Sequence, residues 1–243
     1  MRLLLAALLT LPICVPGCMA QLDADNWGKG SPGVQLAAHE SSRQHTEKGT
    51  AIWYNLLGKG FPDGVVYNLW RKLPGKQPEV LIKGVSFDQR GLLICSGKPG
   101  FCSGDTPDDP VNIKTTAAMG EEKQMAVVSE DGKTAGYVDV VPFPLETANK
   151  GCKLSVTRVS PLADVVMARA SGLKPDQMIV VTRRYGHDHM SARYTSRADG
   201  TWQEIVSAQN TYQPSGKAEI SLSGADCEVS VTFDYGPGSN KPQ

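Results

Sequence analysis

Beyond its first twenty residues, this chain keeps a helical period nowhere at length. Short apolar runs alternate instead with turn residues, a texture that points to antiparallel sheet. The last run is the clearest. Val229, Val231, Phe233 and Tyr235 alternate strictly with Ser230, Thr232 and Asp234, which is the pattern of a strand with one buried and one wet face. Residues 65–71 alternate in the same way, with Val65, Tyr67 and Leu69 on one side and Val66, Asn68 and Trp70 on the other. Further strands are expected at 51–57, 80–87, 92–95, 125–129 and 134–141. In the second half they are expected at 154–159, 164–170, 179–185, 191–196, 201–207 and 217–223. Glu130-Asp131-Gly132-Lys133 lies between two of these runs, and an Asp-Gly in that place is a strong hairpin signal. Pro142 and Pro144 stop the sheet and open a linker that reaches Lys150. Residues 21–48 read as a polar lead-in with an edge strand over 34–38.

The two halves echo each other. Gly60-Phe61-Pro62-Asp63-Gly64-Val65-Val66-Tyr67 parallels Gly172-Leu173-Lys174-Pro175-Asp176-Gln177-Met178-Ile179. Asp88-Gln89-Arg90-Gly91-Leu92 loosely parallels Ala198-Asp199-Gly200-Thr201-Trp202 at nearly the same separation. A duplicated β-sandwich follows, with a first domain over 49–145 and a second over 152–237.

Residues 1–20 have the build of a secretory signal peptide: Arg2, an apolar run to Ile13, then Pro16 and small residues ending at Ala20. Cleavage after Ala20 gives a secreted or periplasmic protein. Val15-Pro16-Gly17-Cys18 also resembles the lipobox of bacterial lipoproteins, although Pro16 departs from that pattern. In this alternative the chain is lipid-anchored at the envelope through Cys18. Of the six cysteines, Cys95, Cys102, Cys152 and Cys227 lie beyond the signal, and an even number in an exported chain reads as two disulfides. Cys95 and Cys102 flank a tight segment, so a local bridge is expected there, and Cys152 then pairs with Cys227. Loop-closure entropy credits about 2.5 kcal/mol to the short loop and about 4.5 kcal/mol to the long one. A zinc site is disfavoured, because paired C-x-x-C units are missing.

The second half, from about Ser160 to Tyr235, resembles the immunoglobulin-like repeats of bacterial exported proteins. The residues that carry this are Ala170-Ser171-Gly172-Leu173-Lys174-Pro175 before a strand, Ala198-Asp199-Gly200-Thr201-Trp202 at a hairpin, and Gly216 before the run 218–222. Where such repeats usually have Gly after the Pro, this chain has Asp176. The resemblance implies two immunoglobulin-like sandwiches in tandem and a structural or binding module. It supplies no catalytic residue.

Candidate chemistry is sparse. His187-Asp188-His189 could present two imidazoles to one metal if it lay on a strand, but Gly186 and its polar flanks read as a solvated hairpin tip. Asp105, Asp108 and Asp109 lie in a Pro- and Gly-rich loop that could offer oxygen ligands to calcium, without the spacing of the twelve-residue calcium loop. The chain has no G-x-S-x-G elbow and no marked pair of carboxylates. Trp53, Trp70, Trp202, Tyr54 and Tyr67 read as core, and Trp27 as a tether on the first sandwich. Arg183 and Arg184 read as a solvated strand edge.

Charge narrows the partners. With 25 Lys and Arg against 25 Asp and Glu, the chain lacks the basic footprint of a nucleic-acid binder. No apolar run of about 18 residues follows the signal, so no transmembrane segment is expected in the mature chain. The expectation is an exported, non-enzymatic binding or scaffolding protein of the bacterial envelope with no cofactor and a protein or glycan partner. The alternative is a secreted hydrolase or metal-dependent enzyme with its site on the loops 97–110 or 186–190.

Overall fold

The computed structural model describes residues 27–47, 49–96, 102, 109–208 and 213–243. The expected signal and the Cys18 anchor lie outside the described residues. Among the described residues every regular element is a strand. The first half carries β1 (Gln35–Thr46), β2 (Gly49–Lys59), β3 (Tyr67–Lys72), β4 (Glu79–Phe87), β5 (Leu93–Cys95), β6 (Ile113–Thr115), β7 (Lys123–Ser129) and β8 (Ala135–Val140). The second carries β9 (Leu145–Asn149), β10 (Cys152–Arg158), β11 (Val165–Ser171), β12 (Met178–Tyr185), β13 (Asp188–Thr195), β14 (Trp202–Ser207), β15 (Gly216–Ser223) and β16 (Glu228–Tyr235).

Four antiparallel sheets make two immunoglobulin-like sandwiches. In the first, β1-β2-β6 faces β5-β4-β3-β7-β8, and Leu56, Tyr67, Leu69, Val85, Leu93 and Val127 fill the space between. In the second, β14-β11-β10-β9 faces β13-β12-β15-β16 around Leu154, Val156, Ile179, Ile220, Leu222 and Phe233. The alternation read in β16 is what buries it: Val229, Val231, Phe233 and Tyr235 point inward, and Glu228, Ser230, Thr232 and Asp234 are exposed. Each fully buried aliphatic side chain of this kind contributes about 1.5–3 kcal/mol. The hairpin at Asp131 forms as its Asp-Gly predicts. Ser129 Oγ (2.7 Å) and Lys133 N (3.1 Å) donate to its carboxylate, which lowers its pKa to about 2.

The internal repeat is structural. The chain path through β1 to β8 recurs in β10 to β16. Gly60 (φ +78) and Gly172 (φ +72) turn the chain at matching places. Each lies against a backbone carbonyl, of Gly33 and Gly151 respectively, where a Cβ would collide. The later turn also repeats: Gly91 N donates to Asp88 O and Gly200 N to Arg197 O, both at 2.9 Å. The matched glycines are therefore Gly91 and Gly200, which shifts by one position the parallel of Asp88–Leu92 with Ala198–Trp202. The halves part company after this turn. β14 runs unbroken along β11, whereas in the first sandwich the chain bridges Leu92 to Leu57 and pairs with β4 as β5. It then returns to β2 as β6 only after an inserted loop.

Two boundaries differ from the sequence reading. The lead-in is a strand as far as Thr46, and β1 pairs with β2 along its whole length. Its sequence hid this, because only Leu36 and Ala38 pack on the core and the rest of this edge strand is wet. Most of the expected linker is also strand. β9 pairs with β10, and Leu145 belongs to the second core. β9 is therefore the first strand of the second sandwich, which begins ahead of Cys152.

Both disulfides form as expected. Cys95–Cys102 closes the end of β5, and Cys152–Cys227 ties the start of β10 in one sheet to the residue before β16 in the other. Among the described residues, no helix is long and apolar enough to cross a membrane.

Candidate functional site

The alternation of β10 places Cys152, Leu154, Val156 and Arg158 on its inner side. Three are apolar or bridged. The fourth is an arginine, a residue only 5% exposed, at the end of the second sandwich, against the first. Arg158 Nε donates to Met119 O (2.6 Å), Nη1 to Pro161 O (3.2 Å) and to Ser239 Oγ (3.3 Å), and Nη2 to Ser239 O (2.6 Å). Its backbone N also donates to Gly120 O at 2.8 Å. Burial lowers its pKa, opposed by the charges of Glu121 and Asp234. One cation thus joins three segments: the approach to β7, the start of the β10–β11 turn and the tail after β16. The tail continues across the junction, where Gln243 N donates to Ala117 O (3.1 Å) and Thr50 N donates to Gln243 O.

The β3–β4 turn, with Leu73 and Pro74, leans on this junction. Three clefts of about 320, 230 and 230 Å³ surround it. The largest is lined by Tyr54, Arg71, Lys72, Lys114, Glu121 and Lys123 among others. Several of its cations have partners: Arg71 pairs with Glu79 (2.7 Å), Lys123 with Glu121 (2.5 Å), and Lys114 Nζ stands 5.1 Å from the centre of the Trp53 ring. Another cleft brings Glu122 and Gln124 of the first sandwich to Met167 and Arg169 of the second. Burial raises the pKa of Glu122, the charge of Asp139 raises it further, and Arg169 opposes both. Burial likewise raises Asp139, against Arg169 and Lys72, although the residue itself is exposed. The junction therefore offers mixed charge, a proline-edged wall and little depth. Ser160 lines one of these clefts and donates to Asp164, and no His or Cys is among their described lining residues. Shape and charge recognition is the chemistry such a surface supports.

The residues singled out from sequence lie elsewhere. Gly186 and His187 form the β12–β13 turn, and Asp188 and His189 begin β13; all three of His187, Asp188 and His189 are exposed. Among the described residues no group of three His, Cys, Asp or Glu could hold a metal. Asp105 and Asp108 lie outside the described residues. Asp109 is described, and its carbonyl accepts Cys95 N at 3.2 Å. Tyr54, Tyr67 and Trp202 are buried, whereas Trp53 and Trp70 are only half-buried. Arg183 corrects the reading of a solvated edge. It donates to Tyr194 OH (2.8 Å) and to Glu204, and so ties β12 and β13 to β14 across the open side of the sandwich. Arg184 is exposed as expected, 3.3 Å from Glu219. Sequence reasoning missed Arg158, Glu122, Asp139 and Ser239. Arg158 had a signal, since a charge at an inward position of an alternating strand demands a buried partner.

No family model matches this chain, and no curated protein matches it. Solved structures similar to it include a tetra-tandem repeat in the extending region of a large adhesion protein. That likeness has 10% identity and a TM-score of 0.28, and it covers 85% of this chain and 50% of the other. The chain thus spans half the length of that structure. A second is the chicken interferon gamma receptor alpha chain, with 8% identity and a TM-score of 0.25, covering 84% of this chain and 98% of that one.

Proposed function

We propose that this is an exported, non-enzymatic binding protein of the bacterial envelope that meets its partner at the junction of its two sandwiches. The observation that supports this is the gathering of three clefts around the β3–β4 turn, over a junction fixed by Arg158 and the tail. Loops held on a rigid sandwich make a recognition surface without further machinery. Two disulfides suit an oxidising compartment. A photo-crosslinking amino acid at Lys76, beside the clefts, is expected to give a discrete adduct in producing cells, and the same group at His187 none. Adducts at His187 alone would overturn the junction reading. A panel of ester, peptide and glycoside substrates is expected to show no turnover. Turnover abolished by joint replacement of His187, Asp188 and His189 with Ala would establish the hydrolase instead.

A further inference from the structure

The repeat sets inner positions of the first sandwich on counterparts in the second. With Tyr67 on Ile179, Leu69 falls on Val181, Arg71 on Arg183 and Leu73 on Tyr185. Arg71 pairs with Met125 and Arg183 with Ile220, so two places along Lys123 falls on Ala218. Lys123 in turn pairs with Val140, and Ala218 with Phe233. In the facing sheets, Tyr54 falls on Val166 at the same separation as Gly60 from Gly172. Its pair with Ile113 therefore matches the pair Val166–Val206, and two places earlier Val111 falls on Glu204.

The second sandwich fills this end with its own side chains. Tyr185, Val206, Ala218 and Phe233 are buried in one core. Arg183, on the same strand as Tyr185, donates to Tyr194 OH (2.8 Å) and to the carboxylate of Glu204. The first sandwich lacks two of these parts. Leu73 and Val140, both half-buried, stand for Tyr185 and Phe233, and Tyr54 in place of Val166 returns only one of the two rings. Val111 stands for Glu204, so Arg71 lacks the carboxylate that Arg183 has there. Arg71 Nε donates to the exposed Glu79 (2.7 Å), and neither of its Nη groups has a hydrogen bond among the described residues.

What the first sandwich has at this end is the cleft of about 320 Å³, at the lower end of the ~300–1,000 Å³ of small-ligand pockets. Tyr54, Leu81, Ile113 and Met125 give it apolar walls. Arg71, Lys72, Lys114 and Lys123 outnumber Glu121, the one carboxylate among its lining residues. Lys114 has the Trp53 ring beside it and no ion pair among the described residues. We infer that this cleft binds a small aromatic carboxylate. The ring takes the space that an aromatic side chain fills in the second sandwich, and the carboxylate stands at Arg71 as Glu204 does at Arg183. A buried ring contributes a large apolar area. A guanidinium with both Nη groups unused can hold a carboxylate through two parallel hydrogen bonds. The inference does not rest on the junction reading, because every residue lining this cleft belongs to the first sandwich.

Calorimetric titration of the full chain with 3-phenylpropionate tests it. One saturable site is expected, with a dissociation constant of about 1 mM or below. The neutral 3-phenylpropan-1-ol and the ringless hexanoate are each expected to bind about tenfold more weakly or worse. Val140→Phe restores a ring that the second sandwich has, and is expected to abolish binding without lowering the denaturation midpoint. Arg71→Gln is expected to erase the preference for the acid over the alcohol. No binding of 3-phenylpropionate, or equal binding of either analogue, overturns the inference. So does binding that either folded variant leaves unchanged. Should Val140→Phe fail to fold, the acid-to-alcohol comparison in Arg71→Gln decides alone, because that side chain is 45% exposed and holds no part of the core.

Discussion

At the residue scale Arg158 is the side chain on which most of the junction converges. It is charged, buried and satisfied mainly by carbonyl oxygens. Arg158→Met keeps the bulk and removes the donors, leaving Met119 O and Ser239 O short of a partner. The expected loss is about 2–4 kcal/mol, read as a fall in denaturation midpoint. Glu122 makes the opposite case. A carboxyl whose pKa is raised in the folded state binds its proton more tightly there. It favours folding at acid pH, and that contribution disappears as pH rises through the raised value. Glu122→Gln is therefore expected to raise the melting temperature at pH 7.5, with the gain shrinking towards pH 4. A gain unchanged across that range would show that the ionised carboxylate is not the cause. Neither residue stood out in the sequence as chemistry. Arg158 was legible only as an intruder in an apolar register. Glu122 and Asp139 are ordinary surface carboxylates until the second sandwich brings Arg169 to them.

At the element scale strands with strict alternation were readable, and β16 is the clearest. Strands held by one anchor were not. β9 has Leu145 and little else to mark it, and β1 shows two partly covered apolar residues before eight exposed ones. Both are edge strands, where half the sheet's hydrogen bonding and most of its burial are absent, so their sequences are under little hydrophobic constraint. The glycine turns were legible because backbone geometry leaves them no alternative. Gly172→Ala puts a methyl group into Gly151 O at a left-handed φ, and is expected to cost about 2–3 kcal/mol by chemical denaturation. The β12–β13 tip should behave in the contrary way. Joint replacement of His187, Asp188 and His189 by Ala is expected to change stability by no more than about 0.5 kcal/mol, because all three are exposed. A larger loss would mean that the tip supports β13.

At the scale of the molecule two staples of unequal reach secure the two sandwiches. Cys152–Cys227 encloses a separation of 75 residues and Cys95–Cys102 one of 7. Reduction is expected to loosen the second sandwich more than the first, seen as earlier loss of amide protection in β10 and β16. The tail ties the sandwiches together in a different way. Truncation after Gly236 should leave the second core intact while speeding hydrogen exchange at the Thr50 amide, whose acceptor Gln243 O it removes, and at the Arg158 guanidinium, which loses Ser239. That same feature sets a timetable. A chain that crosses a membrane amino end first delivers β1 to β8 long before Ser239 and Gln243. The edge at Thr50 and the carbonyl partners of Arg158 must then wait for residues nearly two hundred positions downstream of Thr50. In a chain delivered in that order each sandwich can condense as it emerges, but the seam between them closes only when the last of these residues is through, so its delivery is also the moment at which the molecule locks.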